Sequence, residues 1–160
     1  MLYVFMGSSC SGKSSVAKEL KKFIDVEFYT GKDYLRMSKN EYDAWKIFSE
    51  KLEEASNNMN LNSQSIVYII SERDDVSKIK GLHKAITVKF TADSDIIKSR
   101  FSQRMKGNLP KPVEKMIERQ LTEWESINAK LYADTSEYKP NDVAKKIYDF
   151  TLNNCNNLEV

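Results

Sequence analysis

Gly7-Ser8-Ser9-Cys10-Ser11-Gly12-Lys13-Ser14 decides how this chain is read. The octet has the form G-x-x-x-x-G-K-[ST], and each residue type in it has a physical task. Gly7 and Gly12 let the backbone curl around an anion, and the N–H groups of Ser8, Ser9, Cys10 and Ser11 point inward at it. A helix opening at Lys13 adds the positive end of its dipole. Lys13 is placed to reach the outer phosphates of a nucleotide, Ser14 to hold Mg²⁺ through its hydroxyl, and Ser15 completes the cofactor-binding set. By average composition such an octet arises by chance in roughly 0.5% of chains this long. Its setting excludes a mere turn, because it follows an apolar run and opens an amphipathic helix.

That run, Leu2–Met6, is short and continuous, the pattern of a strand buried on both faces. After the loop the period changes, and Val16, Ala17, Leu20, Phe23 and Ile24 recur at helical spacing. Val26–Tyr29 predicts a second strand that ends before the turn residue Gly31. Glu41–Met59 predicts one or two helices with Trp45, Phe48, Leu52 and Ala55 on a face. Ser65–Ile70 is the clearest buried strand, and Ala85–Phe90 is another beyond a short helical piece at Val76–Ile79.

Asp93–Met105 predicts a helix with Asp93 as N-cap, interrupted by the breakers Gly107, Pro110 and Pro112. Val113–Leu131 resumes it, with Val113, Ile117, Leu121, Trp124, Ile127 and Leu131 aligned. A short strand near Leu131–Ala133, a closing helix over Asn141–Leu152 and a fraying tail at Asn153, Asn154, Asn156 and Asn157 complete the reading. Strands alternating with helices imply an α/β fold with a parallel sheet covered on both faces.

Composition narrows the function classes. At 160 residues the chain suits one domain, 1–160. Its 25 Lys and Arg against 23 Asp and Glu leave a net charge of +2, far from the basic excess of a protein that binds nucleic acid through its phosphates. The Lys pairs at 21–22 and 145–146 end apolar-periodic segments and read as solvated helix faces. Two cysteines and one histidine give no zinc spacing and no disulfide framework. No apolar run approaches the roughly 20 residues of a membrane span. The start has no charged leader region, so a cytosolic chain is expected, a monomer or homodimer without nucleic-acid or membrane partners.

With the loop, its helix and these alternations in place, the chain resembles the small P-loop kinases of the nucleoside-monophosphate-kinase, shikimate-kinase and gluconate-kinase group over nearly its whole length. The octet begins seven residues from the start, as in those minimal kinases. A helix bearing Arg100 and Arg104, a Gly/Pro/Lys-rich break and a second helix bearing Arg119 resemble their lid, here about residues 104–115. Asp134-Thr135-Ser136 before Pro140 resembles their adenine-side loop. The resemblance implies a five-stranded parallel sheet in order 2-3-1-4-5 within a three-layer fold, ATP and Mg²⁺ as cofactors, and phosphoryl transfer to a small acceptor bound by an insertion at about 31–64.

Phosphoryl transfer is mainly positioning and electrostatic clamping, for which the planar Arg fork is suited. Lys13, Arg100 and Arg104 are therefore candidate catalytic cations, although two arginines four apart on a helix also suit a surface face. Asp33 is a candidate base on an acceptor hydroxyl and equally a turn or N-cap residue. Glu72 and Arg73 end the third strand, where ligands bind in open α/β folds, and they resemble the acidic–arginine pair of deoxynucleoside and thymidylate kinases. Arg36, Arg73 and Arg119 are candidates to hold an anionic acceptor. The alternative for Glu72 and Arg73 is a solvated strand end.

The guanylate-kinase Ser-Thr-Thr-Arg pattern is missing, as is the Gly-Gly-Gly of shikimate kinases, and Ser71-Glu72 replaces the usual strand-ending aspartate. The absence of Asn-Lys-x-Asp argues against a GTP switch. A kinase for a nucleoside monophosphate or nucleoside is the first expectation. A metabolite or antibiotic alcohol kinase using Asp33 comes second, and a catalytically silent nucleotide-binding protein third. Cys10, in the loop itself, is either a filler or a thiol activated by the helix N-terminus.

Overall fold

The computed structural model describes residues 1–156. The apolar runs form the strands β1 (Leu2–Met6), β2 (Val26–Thr30), β3 (Ser65–Ile70), β4 (Ile86–Thr91) and β5 (Leu131–Asp134). Helices α1 (Lys13–Leu20), α2 (Glu41–Asn57), α3 (Ser94–Arg104), α4 (Lys111–Glu125) and α5 (Pro140–Asn156) lie between or after them, with 3₁₀ turns at Asp33–Arg36 and Arg73–Ile79. The sheet is parallel throughout in the order β2-β3-β1-β4-β5, the order the resemblance implied. β1 is central, pairing Leu2 with Ile66 and Met6 with Ile70 on one side, and Tyr3 with Ile86 on the other.

The alternation of side chains along β1 divides the interior into two cores. Tyr3 and Phe5 pack with Val16, Ala17 and Leu20 of α1 and with Val143, Ala144 and Ile147 of α5. Leu2, Val4 and Met6 face the other way, onto Ala44, Phe48 and Leu52 of α2 and Trp124 of α4. Every residue of β1 is buried, which is why the run is continuously apolar rather than alternating. Each fully buried large side chain contributes about 1.5–3 kcal/mol, so α1, α2 and α5 are anchored mainly by these two layers. A third, smaller cluster joins Cys10 to Ile97 of α3 and Ile117 of α4, so that both helices rest on the phosphate loop.

Three local expectations are corrected. α4 stops at Glu125, not Leu131: the Ile127 N–H donates to the Trp124 carbonyl at 3.2 Å, and Leu131 is drawn off to pair with Val88 in β5. Asp93 caps α3 with its backbone alone: its carbonyl receives Ile97 N at 3.0 Å, its side chain caps nothing, and its own N–H donates to Ser136 Oγ at 2.7 Å. α1 ends at Leu20, and Phe23 and Ile24 extend its apolar surface from the following turn, Phe23 stacking on Tyr148 at 5.4 Å. At the other end of the chain α5 runs through Asn153 and Asn154, where Asn154 Nδ2 donates to the Phe150 carbonyl, while Asn157 lies outside the described residues. No helix among the described residues is long and apolar enough to cross a membrane.

Candidate active site

The loop between β1 and α1 sits at the C-terminal edge of the central strand. Its two glycines are dictated by space and by backbone conformation together. At Gly7, φ is +147° and an added Cβ would lie 2.4 Å from the Phe90 carbonyl oxygen of β4. At Gly12, φ is +95° and the Cβ would lie 2.9 Å from Thr135 Cγ2, so any side chain would collide with the neighbouring loop. Cys10 also adopts a left-handed conformation, φ +61°, with its side chain inserted between α3 and α4.

Lys13 is 4% exposed, and its ammonium folds back over the loop. It donates to the carbonyls of Gly7 at 2.7 Å and Ser8 at 2.6 Å, and to Ser11 Oγ at 3.3 Å. These oxygens occupy the ammonium where a phosphate group would otherwise do so. Burial, with a smaller effect of Arg104, lowers the Lys13 pKa to about 7 against the opposing pull of Cys10 and Glu72. Burial also raises the Cys10 thiol, outweighing the nearby cations Arg104, Lys13 and Arg100. Its packing against Ile97 and Ile117 and this upward shift both fit the filler reading of Cys10 better than the activated thiol.

The loop opens on a cavity of about 740 Å³ that runs along the sheet edge. Ser14 and Ser15 line it beside Lys13. On the β4–β5 side its wall is Arg100, Arg104, Thr135 and Tyr138; on the β2–β3 side it is Thr30, Gly31, Glu72 and Asp75.

Arg100 is committed to the protein itself. Its Nη1 donates to the Cys10 carbonyl at 3.2 Å and Thr135 Oγ1 at 2.9 Å, and its Nη2 to the Thr135 carbonyl at 2.8 Å. Thr135 Oγ1 in turn donates to the Ser11 carbonyl at 2.9 Å. One guanidinium thus staples the phosphate loop to the β5–α5 loop. Arg104, one turn on, lines the cavity exposed and takes no hydrogen bond or ion pair among the described residues.

A second brace was not read from sequence. Gln120 of α4, 1% exposed, accepts from the Ser9 N–H at 3.1 Å and donates to Glu72 Oε1 at 3.1 Å. Trp124, one turn further, donates its indole N–H to the Ser71 carbonyl at 3.3 Å. The signal was present: Gln120 interrupts the apolar stripe between Ile117 and Trp124, and a polar side chain on a buried face must have a partner. Asp75, within the 3₁₀ turn, was missed as well, because nothing in its neighbours marks it.

The remaining candidates are dispersed. Asp33 Oδ2 receives both the Thr30 N–H and the Thr30 hydroxyl at 2.8 Å, and these bonds hold its carboxyl below the usual range. It closes the turn after β2 and does not line the cavity. Arg36 is exposed and unpaired among the described residues. Arg73 and Arg119 line a second hollow of about 300 Å³ with Asp74, Glu123 and Glu72, the last of which also lines the main cavity, and Arg119 pairs with Glu123 at 3.3 Å.

Among the described residues no cluster of three or more His, Cys, Asp or Glu side chains could hold a metal alone. Mg²⁺ takes few protein ligands and draws the rest from phosphates and water. The donor on offer is the Ser14 hydroxyl, which lines the cavity beside Lys13.

No protein-family model and no curated protein matches the sequence. Structures do. A gluconokinase from Sinorhizobium meliloti 1021 matches with a TM-score of 0.64 at 16% identity, over 99% of this chain and 95% of its own. The shikimate kinase of Acinetobacter baumannii, solved with shikimate, gives 0.63 at 15% identity over 95% and 93%. A tunicamycin resistance protein from Deinococcus radiodurans gives 0.62 at 15% identity over 92% of each chain. The chain has the P-loop kinase fold of the gluconate- and shikimate-kinase group.

Proposed function

We propose that the protein is an ATP- and Mg²⁺-dependent kinase that transfers a phosphoryl group to a small acceptor. The observation that carries this reading is the buried Lys13 held on the carbonyls of a glycine-shaped loop, opening on a cavity whose lining includes the Glu72 carboxylate. On nucleotide binding Lys13 would exchange its carbonyl partners for phosphate oxygens, and the N–H groups of the loop would take the rest. Mg²⁺, held by Ser14 and the phosphates, would offset charge on the transferring group. Arg104 is the cation free to close on that group, and the segment 104–115 that begins with it would act as a lid. Arg100 contributes from behind, by fixing the loop and the β5–α5 wall against which the nucleotide base would rest.

Between the acceptor classes, the arrangement favours a hydroxyl over a phosphate. A nucleoside monophosphate needs cations at the acceptor end, and Arg36, Arg73 and Arg119 stand outside the cavity. For a hydroxyl the base would be Glu72, which lines the cavity, rather than Asp33, whose Oδ2 is occupied by Thr30.

The test is a coupled assay for ADP formation across nucleosides, nucleoside monophosphates, sugar acids, polyols and hydroxylated antibiotics. One acceptor should raise turnover well above background. ATP binding with no acceptor effect across the panel would instead support a silent nucleotide-binding protein.

A further inference from the structure

The peptide group between Ser8 and Ser9 is held at both edges. Its carbonyl accepts from the Lys13 ammonium at 2.6 Å, and its N–H donates to Gln120 Oε1 at 3.1 Å. The Gln120 amide donates in turn through Nε2 to Glu72 Oε1, also at 3.1 Å. One chain of hydrogen bonds therefore runs from the lysine of the phosphate loop, through one peptide and one side chain, to the carboxylate after β3. Its direction is forced: Ser9 offers an N–H here, so the oxygen of Gln120 must face it and the NH₂ must face Glu72. Gln120 is 1% exposed, so its amide has these two partners in place of bulk water.

The Glu72 end of this chain is the loose one. Glu72 is exposed and lines both the main cavity and the hollow of Arg73 and Arg119. Among the described residues its carboxylate has no other hydrogen bond and no ion pair, so Gln120 decides which way that oxygen points. The ground under Gln120 is firm. Trp124 ties the next turn of α4 to Ser71, and the Glu125 carbonyl accepts from Lys89, a residue 8% exposed that stands in β4 opposite Met6 of β1.

Lys13 is the link that a nucleotide would break. Phosphate oxygens would draw the ammonium off the Ser8 carbonyl and leave that carbonyl with the Ser11 N–H at 3.3 Å. A peptide group is planar, so a carbonyl that turns carries its N–H with it. It is also polarised as a unit, and an amide whose oxygen accepts from an ammonium donates more strongly at nitrogen. Both effects act in one direction. With the ammonium gone, Ser9 holds Gln120 less firmly, and Gln120 holds Glu72 less firmly.

We infer that Gln120 is a positioning residue that passes occupancy of the phosphate loop to the Glu72 carboxylate, so that nucleotide binding releases this carboxylate toward the acceptor. This rests on the phosphotransfer reading above and adds an order to it, with the donor bound before the base is freed. Glu72 also attracts Lys13 through space, a direct route that the experiment has to separate from this one.

The δ-carboxyl carbon of Glu72 reports on the far end, read by NMR in protein labelled at that carbon of glutamate and assigned by its loss in Glu72→Gln. Spectra of the full chain are compared with and without Mg²⁺ and a non-hydrolysable ATP analogue, for the wild type and for Gln120→Leu. In the wild type the analogue should move the Glu72 signal toward the position it has in nucleotide-free Gln120→Leu. In Gln120→Leu the displacement should be severalfold smaller. Gln120→Met, flexible and close in volume, repeats the test should the leucine variant fail to fold. Trp124→Phe removes the neighbouring bond of α4 but leaves the chain through Gln120, so there the wild-type displacement should persist.

Equal displacement in the wild type and the Gln120 variants would mean that charge acts on Glu72 through space, and it overturns the inference. Loss of the displacement in Trp124→Phe overturns it too, because the packing of α4 would then carry the effect. So does a Glu72 signal unmoved in the wild type while the Gly12 and Lys13 amides shift. If those loop amides do not shift either, the analogue does not bind, and the nucleotide reading itself has failed along with the inference.

Discussion

The two ends of the cavity are built by different means. The β4–β5 end is tied through the backbone: Arg100 reaches the carbonyls of Cys10 and Thr135, Thr135 reaches the carbonyl of Ser11, and Gly7 and Gly12 leave no room for side chains. The β2–β3 end is made of side chains on short turns, with Glu72 held through Gln120, and Asp33 turned back onto Thr30 outside the lining. A phosphate donor is common to many enzymes and can be bound by main-chain geometry. An acceptor is particular, and in the proposed function the end built of side chains would take it.

That contrast predicts a steep order of effects. Glu72→Gln should lower turnover with an alcohol acceptor by about 10²-fold or more, as expected on removing a general base, while Asp33→Asn should change it only a few-fold. Steady-state rates of the two variants side by side check this. If Asp33→Asn proves the more damaging, the assignment of the base is reversed and the acceptor end has to be redrawn around β2.

Next in size is the brace under the loop. Gln120→Leu keeps the volume but takes the partner from the half-buried Ser9 N–H, while the exposed Glu72 oxygen turns to water. An unsatisfied buried polar group costs about 1–3 kcal/mol, so the melting temperature should fall by roughly 2–4 °C for each kcal/mol lost in a chain of this size. A melting curve unchanged from wild type would show that α4 and the loop are not coupled through this side chain. Thr135→Val tests the opposite wall: losing the hydroxyl that bonds Ser11 and Arg100 should cost about 1 kcal/mol, seen as a lower denaturant midpoint with an unchanged slope.

The smallest effect is a proton. Burial holds the Lys13 pKa at about 7 in the free protein, and nucleotide phosphates would raise it. In the free protein the lysine is mostly neutral above that value and charged below it. Nucleotide binding should therefore take up a proton at about pH 8 to 9 and almost none near pH 6. Calorimetry in buffers of different ionisation enthalpy measures the uptake, and a value independent of pH would place the shift elsewhere than on Lys13.

Legibility in the sequence follows the same division. β1 and β3 were read to the residue because strands buried on both faces are continuous apolar runs, and Lys13 as the first residue of α1 because the octet marks it. Leu131 reads both as the end of the α4 stripe and as the start of a short strand, because its spacing continues the stripe; its pairing with Val88 decides for the strand. In the site, the loop residues were legible because their spacing is local. Gln120, Thr135 and Glu72 come from three separate elements, and their meeting is a property of the fold rather than of any segment. Asp33 had the right position for a base, yet its partner three residues earlier could not be told from spacing.

Transfer of label from γ-labelled Mg-ATP to a hydroxyl-bearing acceptor, measured for the wild-type chain and for Lys13→Ala, tests the central claim most directly. Labelled acceptor should form with the wild type and fall by about 10²–10³-fold in the variant, the range for removing one transition-state donor. Equal transfer by both proteins, or label released only as inorganic phosphate whatever acceptor is present, would contradict it.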